Sequence, residues 1–145
     1  DVRSLSHQIM PNMLIKNSLS NALRELIEKS NSPTLLINLK MEGLNDAIDQ
    51  NIQVVLYRTI QETINNTIKH AEANKIDISI IQDKDKIYTS ICDNGKGFNP
   101  MKVQSKNEGL GLENIKSRID VLKGNLKINS QKGKGTQIYV EIPLI

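Results

Sequence analysis

Hydrophobic positions along the chain recur with two periods, and these predict where its helices and strands lie. The three- and four-residue spacing of a helix face predicts helices at residues 1–10, 12–29, 49–73 and 113–123. Strict alternation of apolar and polar residues predicts strands at residues 35–41, 76–80, 87–92, 126–130 and 136–142. Residues of the turn-forming types Asn, Asp, Gly and Pro separate most of these segments.

The order of these elements decides the fold class. It runs helix, helix, strand, long helix, hairpin, loop, helix, hairpin, so antiparallel hairpins dominate and a doubly wound parallel sheet is excluded. We predict an α+β fold, a two-layer α/β sandwich with helices on one face of a mixed, mostly antiparallel sheet. Its core would be aliphatic, since the chain has one Phe, three Tyr and no Trp.

Length and charge narrow the possible partners. The 145 residues suit one domain, and the net charge is 19 − 16 = +3 with the lysines spread out. We therefore expect no direct nucleic-acid binding, whereas an anionic ligand such as a nucleotide fits the weakly basic balance.

Cysteine use and apolar runs bear on location. The one cysteine, Cys92, excludes an internal disulfide and suits a reducing compartment. No apolar run approaches about 18 residues and no signal peptide is visible. We expect a cytoplasmic domain and, because Asp1 opens the chain inside a helical pattern, a piece of a longer protein.

Polar residues form a stripe along the long central helix. Glu62 and Asn66 are four apart, and Lys69 and His70 continue the same edge. The opposite face, which we expect to be buried, carries Leu56, Ile60, Ile64 and Ile68. The stripe could hold a hydrated cation together with phosphate oxygens, but ordinary solvated helix faces carry the same residue types.

Asp93 stands where a strand ends. It continues the face of Ile87, Thr89 and Ile91, so alternation aims its carboxylate toward the core. Two interpretations stay open at this point. Asp93 caps the turn that follows, because Asp-Asn-Gly is a strong turn sequence, or it accepts a hydrogen bond from a ligand amine such as that of adenine.

Gly-x-Gly pairs occur at three places: Gly95 with Gly97, Gly109 with Gly111, and Gly133 with Gly135. The first pair lets backbone approach a flat ligand, and the second exposes amides at a helix start, where anions bind. Thr136 follows the third pair and could form a hydrogen bond near a base. Each pair taken alone also fits an ordinary turn.

Several common site motifs are excluded. The chain has no P-loop, no dinucleotide fingerprint and no Gly-x-Ser-x-Gly nucleophile elbow. With one cysteine and with His7 far from His70, a zinc cluster is implausible.

The motif order resembles the ATP-binding domain of bacterial sensor histidine kinases, in the superfamily of gyrase B, heat-shock chaperone and mismatch-repair ATPases. The motifs are Glu62…Asn66…Lys69-His70-Ala71, Asp93-Asn94-Gly95-Lys96-Gly97-Phe98, Gly109-Leu110-Gly111-Leu112 and Gly135-Thr136. The resemblance covers residues 30–145. Residues 1–29 look like the end of a dimerisation helix and a linker helix that packs on the domain.

This resemblance implies a role for each motif residue. Asn66 would ligate Mg²⁺, and Glu62 would hold a metal-bound water or assist proton transfer from the phosphoacceptor. Lys69 and His70 would lie near the phosphates of ATP. Backbone amides would contact the same phosphates at Gly109, Leu110, Gly111 and Leu112. Asp93 would accept the adenine amine, with Gly95, Gly97 and Thr136 around the base.

Two departures from the family pattern matter. The phenylalanine-rich box is missing, since Phe98 stands alone and residues 99–108 make a short polar lid. The short lid looks closest to the subfamily that usually signals to response regulators with helix-turn-helix output. His7 matches a linker pattern rather than a phosphoacceptor, so we expect the chain to bind Mg-ATP without containing its own substrate.

The implied partners are the kinase's own dimerisation helices, in a homodimer, and a response regulator; any membrane contact would come only through segments outside this chain. Two alternatives remain. One is a related serine kinase or ATPase regulator, and the other is a non-catalytic basic module that binds protein.

Overall fold

A computed structural model describes residues 11, 14, 18–45, 47–97 and 112–144. Its elements are α1 (Leu19–Ser30), β1 (Leu36–Glu42), α2 (Gln50–Asn66), a π-helical turn (Thr67–Ala71), β2 (Lys75–Gln82), β3 (Lys86–Asp93), α3 (Leu112–Val121), β4 (Asn125–Ser130) and β5 (Thr136–Pro143). The helix predicted over residues 1–10, with His7, lies outside the described residues.

The described strands form one sheet in the order β1-β2-β3-β5-β4. β1 and β2 are parallel and α2 connects them, while every other neighbouring pair is antiparallel. The predicted α+β sandwich with a mixed, mostly antiparallel sheet is confirmed. The observed strands start and end within two residues of the predicted ones, because alternation of side chains is a local property of a half-buried strand.

An aliphatic core lies between the helices and one face of the sheet. The sheet contributes Ile76, Ile78, Ile80, Ile87, Ile91, Ile138, Val140 and Ile142. The helices contribute Leu19, Ala22, Leu23, Ile27, Ile52, Leu56, Ile60, Ile64, Ile115 and Ile119. Helix α1 therefore shares this core, whereas a boundary between a linker at residues 1–29 and a catalytic domain at 30–145 stays a prediction.

Side-chain caps fix where the first two helices begin. The Ser18 hydroxyl accepts the Asn21 amide at 3.2 Å ahead of α1, and the Asp49 carboxylate accepts the Asn51 amide at 2.7 Å ahead of α2. Among the described residues, no helix is long and apolar enough to cross a membrane.

The end of α2 departs from the predicted helix. We expected Ile68 on the buried face, but its side chain is 54% exposed, and Thr67 is buried instead. The reason is the π-helical turn, whose wider ring breaks the 3.6-residue phase from Thr67 onward. The turn ends at Glu72, which adopts a left-handed φ of 52°. Turns of this kind are frequent at functional sites.

Candidate functional site

Asp93 ends β3 in the middle of the sheet. It lies opposite Ile76 of β2 on one side and Thr136 of β5 on the other. Its Oδ1 accepts the Gly95 amide at 2.8 Å, so the turn-capping interpretation holds for that oxygen. Its Oδ2 has a long contact of 3.4 Å with the Thr67 hydroxyl. A carboxylate has about four acceptor positions, so Asp93 keeps capacity for a ligand donor.

Two buried threonines flank this carboxylate. Thr136 hydrogen-bonds through its hydroxyl to Ser130 at 2.9 Å. Thr67 donates its single hydroxyl proton to the Thr63 carbonyl at 2.9 Å, which leaves its contact with Asp93 weak. Sequence reasoning missed Thr67 as a site residue. The signal was a stripe of threonines spaced four apart along α2, formed by Thr59, Thr63 and Thr67.

Glycines bring the loop after Asp93 against the β4–β5 turn. Gly97 has a φ of 66°, and a Cβ there would collide with the Gln131 carbonyl oxygen and lie 2.9 Å from that of Gly135. Gly135 has a φ of 81°, and its Cβ would collide with the Asp93 carbonyl oxygen. The Gly133 amide donates to the Lys96 carbonyl. The backbone around Asp93 is therefore packed so closely that no side chain fits.

Gly135→Ala is expected to destabilise the fold by about 2–5 kcal/mol, because a left-handed φ and a steric collision with the Asp93 carbonyl add. Gly133→Ala is the matched control: it has a φ of 84° in the same turn, and nothing lies within 4 Å of its Cβ position. It should cost only the φ term of about 1–2 kcal/mol. Urea unfolding of both variants measures the difference, and equal losses would contradict the steric argument.

The residues predicted to lie near the metal and the phosphates are on α2 and just after it. Glu62 accepts a hydrogen bond at Oε1 from Arg118 of α3, with Nη1 2.7 Å away. Its Oε2 is buried and has no hydrogen-bond partner in the described part of the chain. Asn66 is the last residue of α2 and is partly buried. Lys69 and His70 are exposed on the π-helical turn.

The two halves of the site meet at Thr67. Its hydroxyl contacts Asp93, and its chain neighbour is Asn66, so the end of the helix that carries the predicted metal ligand packs against the strand end that carries the predicted base acceptor. Of the predicted phosphate contacts, Gly109, Leu110 and Gly111 lie outside the described residues. Leu112 is the first residue of α3, and only its backbone is described.

The side chains at this site can be compared with the ligands that Mg²⁺ prefers. Among the described residues, no group of three or more His, Cys, Asp or Glu side chains could hold a metal ion. Mg²⁺ prefers oxygen ligands, and in nucleotide sites it keeps several waters and binds substrate phosphates. The side-chain amide oxygen of Asn66 is a ligand of that chemical type. The buried, unpartnered Oε2 of Glu62, one helical turn before Asn66, could accept a hydrogen bond from such a water.

Cys92 precedes Asp93 in β3, and its surroundings do not activate the thiol. Burial raises the pKa of its thiol, and the nearby carboxylates of Asp77 and Asp93 raise it further. A raised pKa leaves less thiolate, which is the reactive form.

Comparison with known proteins gives three kinds of similarity. The sequence profile of the family described as histidine kinase-, DNA gyrase B- and HSP90-like ATPase matches residues 51–145. The sensor histidine kinase ComP of Bacillus subtilis is 32% identical over 98% of this chain. The histidine-protein kinase/phosphatase DegS of Brevibacillus brevis is 34% identical over 76% of it. The chain spans 19% of the length of ComP and 28% of that of DegS.

Solved structures share the fold. The histidine kinase domain of the blue-light activated histidine kinase from Erythrobacter litoralis EL346 superposes with a TM-score of 0.65 at 17% identity. That match covers 87% of this chain and 59% of the solved one. A second structure of the blue-light activated kinase gives a TM-score of 0.70 at 15% identity, with coverage of 88% and 42%.

Proposed function

Because this chain belongs to the family of histidine kinase-, DNA gyrase B- and HSP90-like ATPases, we propose that it is the ATP-binding catalytic domain of a two-component sensor histidine kinase. It transfers the γ-phosphoryl group of ATP to a histidine on dimerisation helices. The observation that carries the proposal is the contact between Thr67 and Asp93, because it joins the helix of Asn66 to the strand of Asp93. The similarity of the chain to ComP and DegS supports the kinase assignment.

At the base end, Asp93 accepts the exocyclic amine of adenine. The Gly95 amide holds Oδ1, which leaves Oδ2 as the oxygen for the base. Gly97 and Gly135 let the loop after Asp93 pack against the β4–β5 turn, which fixes the backbone beside the carboxylate. Thr136, directly opposite Asp93, contributes a hydroxyl on the same side.

At the phosphate end, Asn66 would hold Mg²⁺, and Lys69 and His70 would lie near the phosphates of bound ATP. Magnesium, when bound, neutralises charge on the transferring phosphoryl group. The amides at residues 109–112, which precede and begin α3 in the sequence, would bind the phosphates. Glu62 accepts a hydrogen bond from a metal-bound water or takes a proton from the phosphoacceptor.

The partners follow from this role. The kinase acts as a homodimer on the histidine of its dimerisation helices, and it passes the phosphoryl group to a response regulator with helix-turn-helix output. The catalytic domain itself lies in the cytoplasm, and segments outside this chain make any membrane contact.

The proposal is tested by incubating the chain with radiolabelled ATP, Mg²⁺ and a separate dimerisation-helix fragment that carries the phosphoacceptor histidine. The expected product is a label on the fragment that acid removes and base does not, since phosphohistidine is acid-labile. An acid-stable label would point to a serine kinase instead. If titration detects no magnesium-dependent ADP binding, the chain is a non-catalytic module and the proposal fails.

A further inference from the structure

The ion pair between Glu62 and Arg118 is unlike the other ion pairs that the structure describes. Its two side chains are 28% and 24% exposed, whereas every other described pair has at least one side chain that is more than 40% exposed. It also joins two helices, α2 and α3, across 56 positions of sequence. A partly buried, charge-assisted contact of 2.7 Å is less screened by solvent and fixes geometry more firmly than a surface pair.

The contact leaves the Glu62 carboxylate half satisfied. Arg118 occupies Oε1, while Oε2 is buried without a partner among the described residues. A buried carboxylate oxygen is costly to leave without a donor, so Oε2 is available to accept a further hydrogen bond. The bond to Oε1 orients the carboxylate, because it restricts the rotation of the group.

We propose that Arg118 is a positioning residue that orients Glu62 for phosphoryl transfer. The inference rests on the proposed function. In the transfer, an unprotonated ring nitrogen of the acceptor histidine forms the N–P bond while the bond from the γ-phosphorus to the bridging oxygen breaks. ADP leaves with that electron pair, and the Glu62 carboxylate accepts the proton of the other ring nitrogen. Arg118 touches neither nucleotide nor acceptor in this step and acts only through Glu62.

The position of Arg118 on α3 also matters. Arg118 lies on the helix that directly follows the glycine pair at 109 and 111, whose amides face the phosphates in the proposed function. A shift of α3 would change the position of Arg118 and with it the orientation of Glu62. Orientation errors of about 1 Å at a reacting group can lower rates by about a hundredfold.

The test compares Arg118→Ala, Arg118→Gln and Arg118→Lys in transfer from saturating Mg-ATP to the separate helix fragment. We expect Arg118→Ala and Arg118→Gln to lower kcat about tenfold to a hundredfold with ADP affinity unchanged within twofold, and Arg118→Lys to restore part of the rate. Lys116→Ala is the matched control, because Lys116 lies on the same helix in an exposed ion pair with Asp120, and it should behave as wild type.

A double-variant cycle separates positioning from a merely structural role. If Arg118 acts through Glu62, Arg118→Ala should cause no further loss of kcat in the Glu62→Gln background. Three results would overturn the inference. The losses of kcat from the two substitutions could multiply, or Arg118→Ala could have an unchanged or higher kcat. The third is a loss of ADP affinity in parallel with kcat. Thermal unfolding checks each variant, and should Arg118→Ala not fold, Arg118→Gln carries the comparison. If wild type produces no acid-labile label, the proposed function itself is wrong. If wild type and Arg118→Ala label the fragment equally, only the role of Arg118 is wrong.

Discussion

Asn66→Ala is expected to abolish magnesium-dependent phosphoryl transfer, with a loss of about a hundredfold or more, while the protein stays folded. The proposed site has one amide ligand from the protein for the metal, and alanine leaves none there. A magnesium ion that neutralises phosphate charge contributes several kcal/mol to a transition state of this kind. Isothermal titration with ADP, with and without Mg²⁺, and the acid-labile transfer assay measure the two effects.

The neighbouring residue provides the control. Asn65 is an exposed asparagine on the same turn of α2, so Asn65→Ala changes the same side-chain chemistry one position away. It should bind Mg-ADP and transfer phosphoryl as wild type does. If Asn66→Ala retained the magnesium dependence of the wild type, the metal role of Asn66 would be refuted. Thermal unfolding of both variants shows whether any loss comes from the fold.

Asp93→Asn is expected to weaken ADP binding by about 1–3 kcal/mol, which is about 5- to 150-fold in Kd. The carboxylate accepts at both oxygens: from the Gly95 amide at Oδ1 and, in the proposal, from the adenine amine at Oδ2. An asparagine has only one acceptor oxygen, so its NH₂ group must face one of these two donors. Calorimetric titration with Mg-ADP gives the change directly.

A second nucleotide sharpens this prediction. Inosine diphosphate carries a carbonyl in place of the amine, so wild type should prefer ADP, and Asp93→Asn should lose that preference because its NH₂ can donate to the carbonyl. Asp85→Asn is the matched control, because Asp85 is an exposed carboxylate at the β2–β3 turn. This variant should keep the wild-type preference for ADP. Equal ADP affinity of wild type and Asp93→Asn would remove the base contact.

Local patterns were enough to predict much of the fold. Alternation in the strands depends on neighbours along the chain, so it can be read from sequence alone. Gly124 shows the limit of such signals. It follows α3 as a helix-ending glycine should, but the left-handed residue is Lys123, with a φ of 58°. Gly124 is instead required because a Cβ there would lie 2.7 Å from the Glu141 carbonyl oxygen.

The candidate site, too, could be predicted only in part from the sequence. The sequence predicted Asp93 and Thr136 as site residues, and the roles of both stay predictions; the structure adds that they lie opposite each other in the β3–β5 register. The contact between Thr67 and Asp93 was not predicted, because it depends on how the end of α2 packs against the end of β3.

The sequence by itself determined the α+β class, the order of elements and the polar residues that stand at their ends, because periodicity and turn chemistry act between near neighbours. Only the tertiary structure decided which of those residues meet. The pairing of Glu62 with Arg118 and the packing of Gly135 against Asp93 join segments more than forty residues apart. Contacts at that distance depend on strand register, helix phase and close packing, none of which a local pattern specifies.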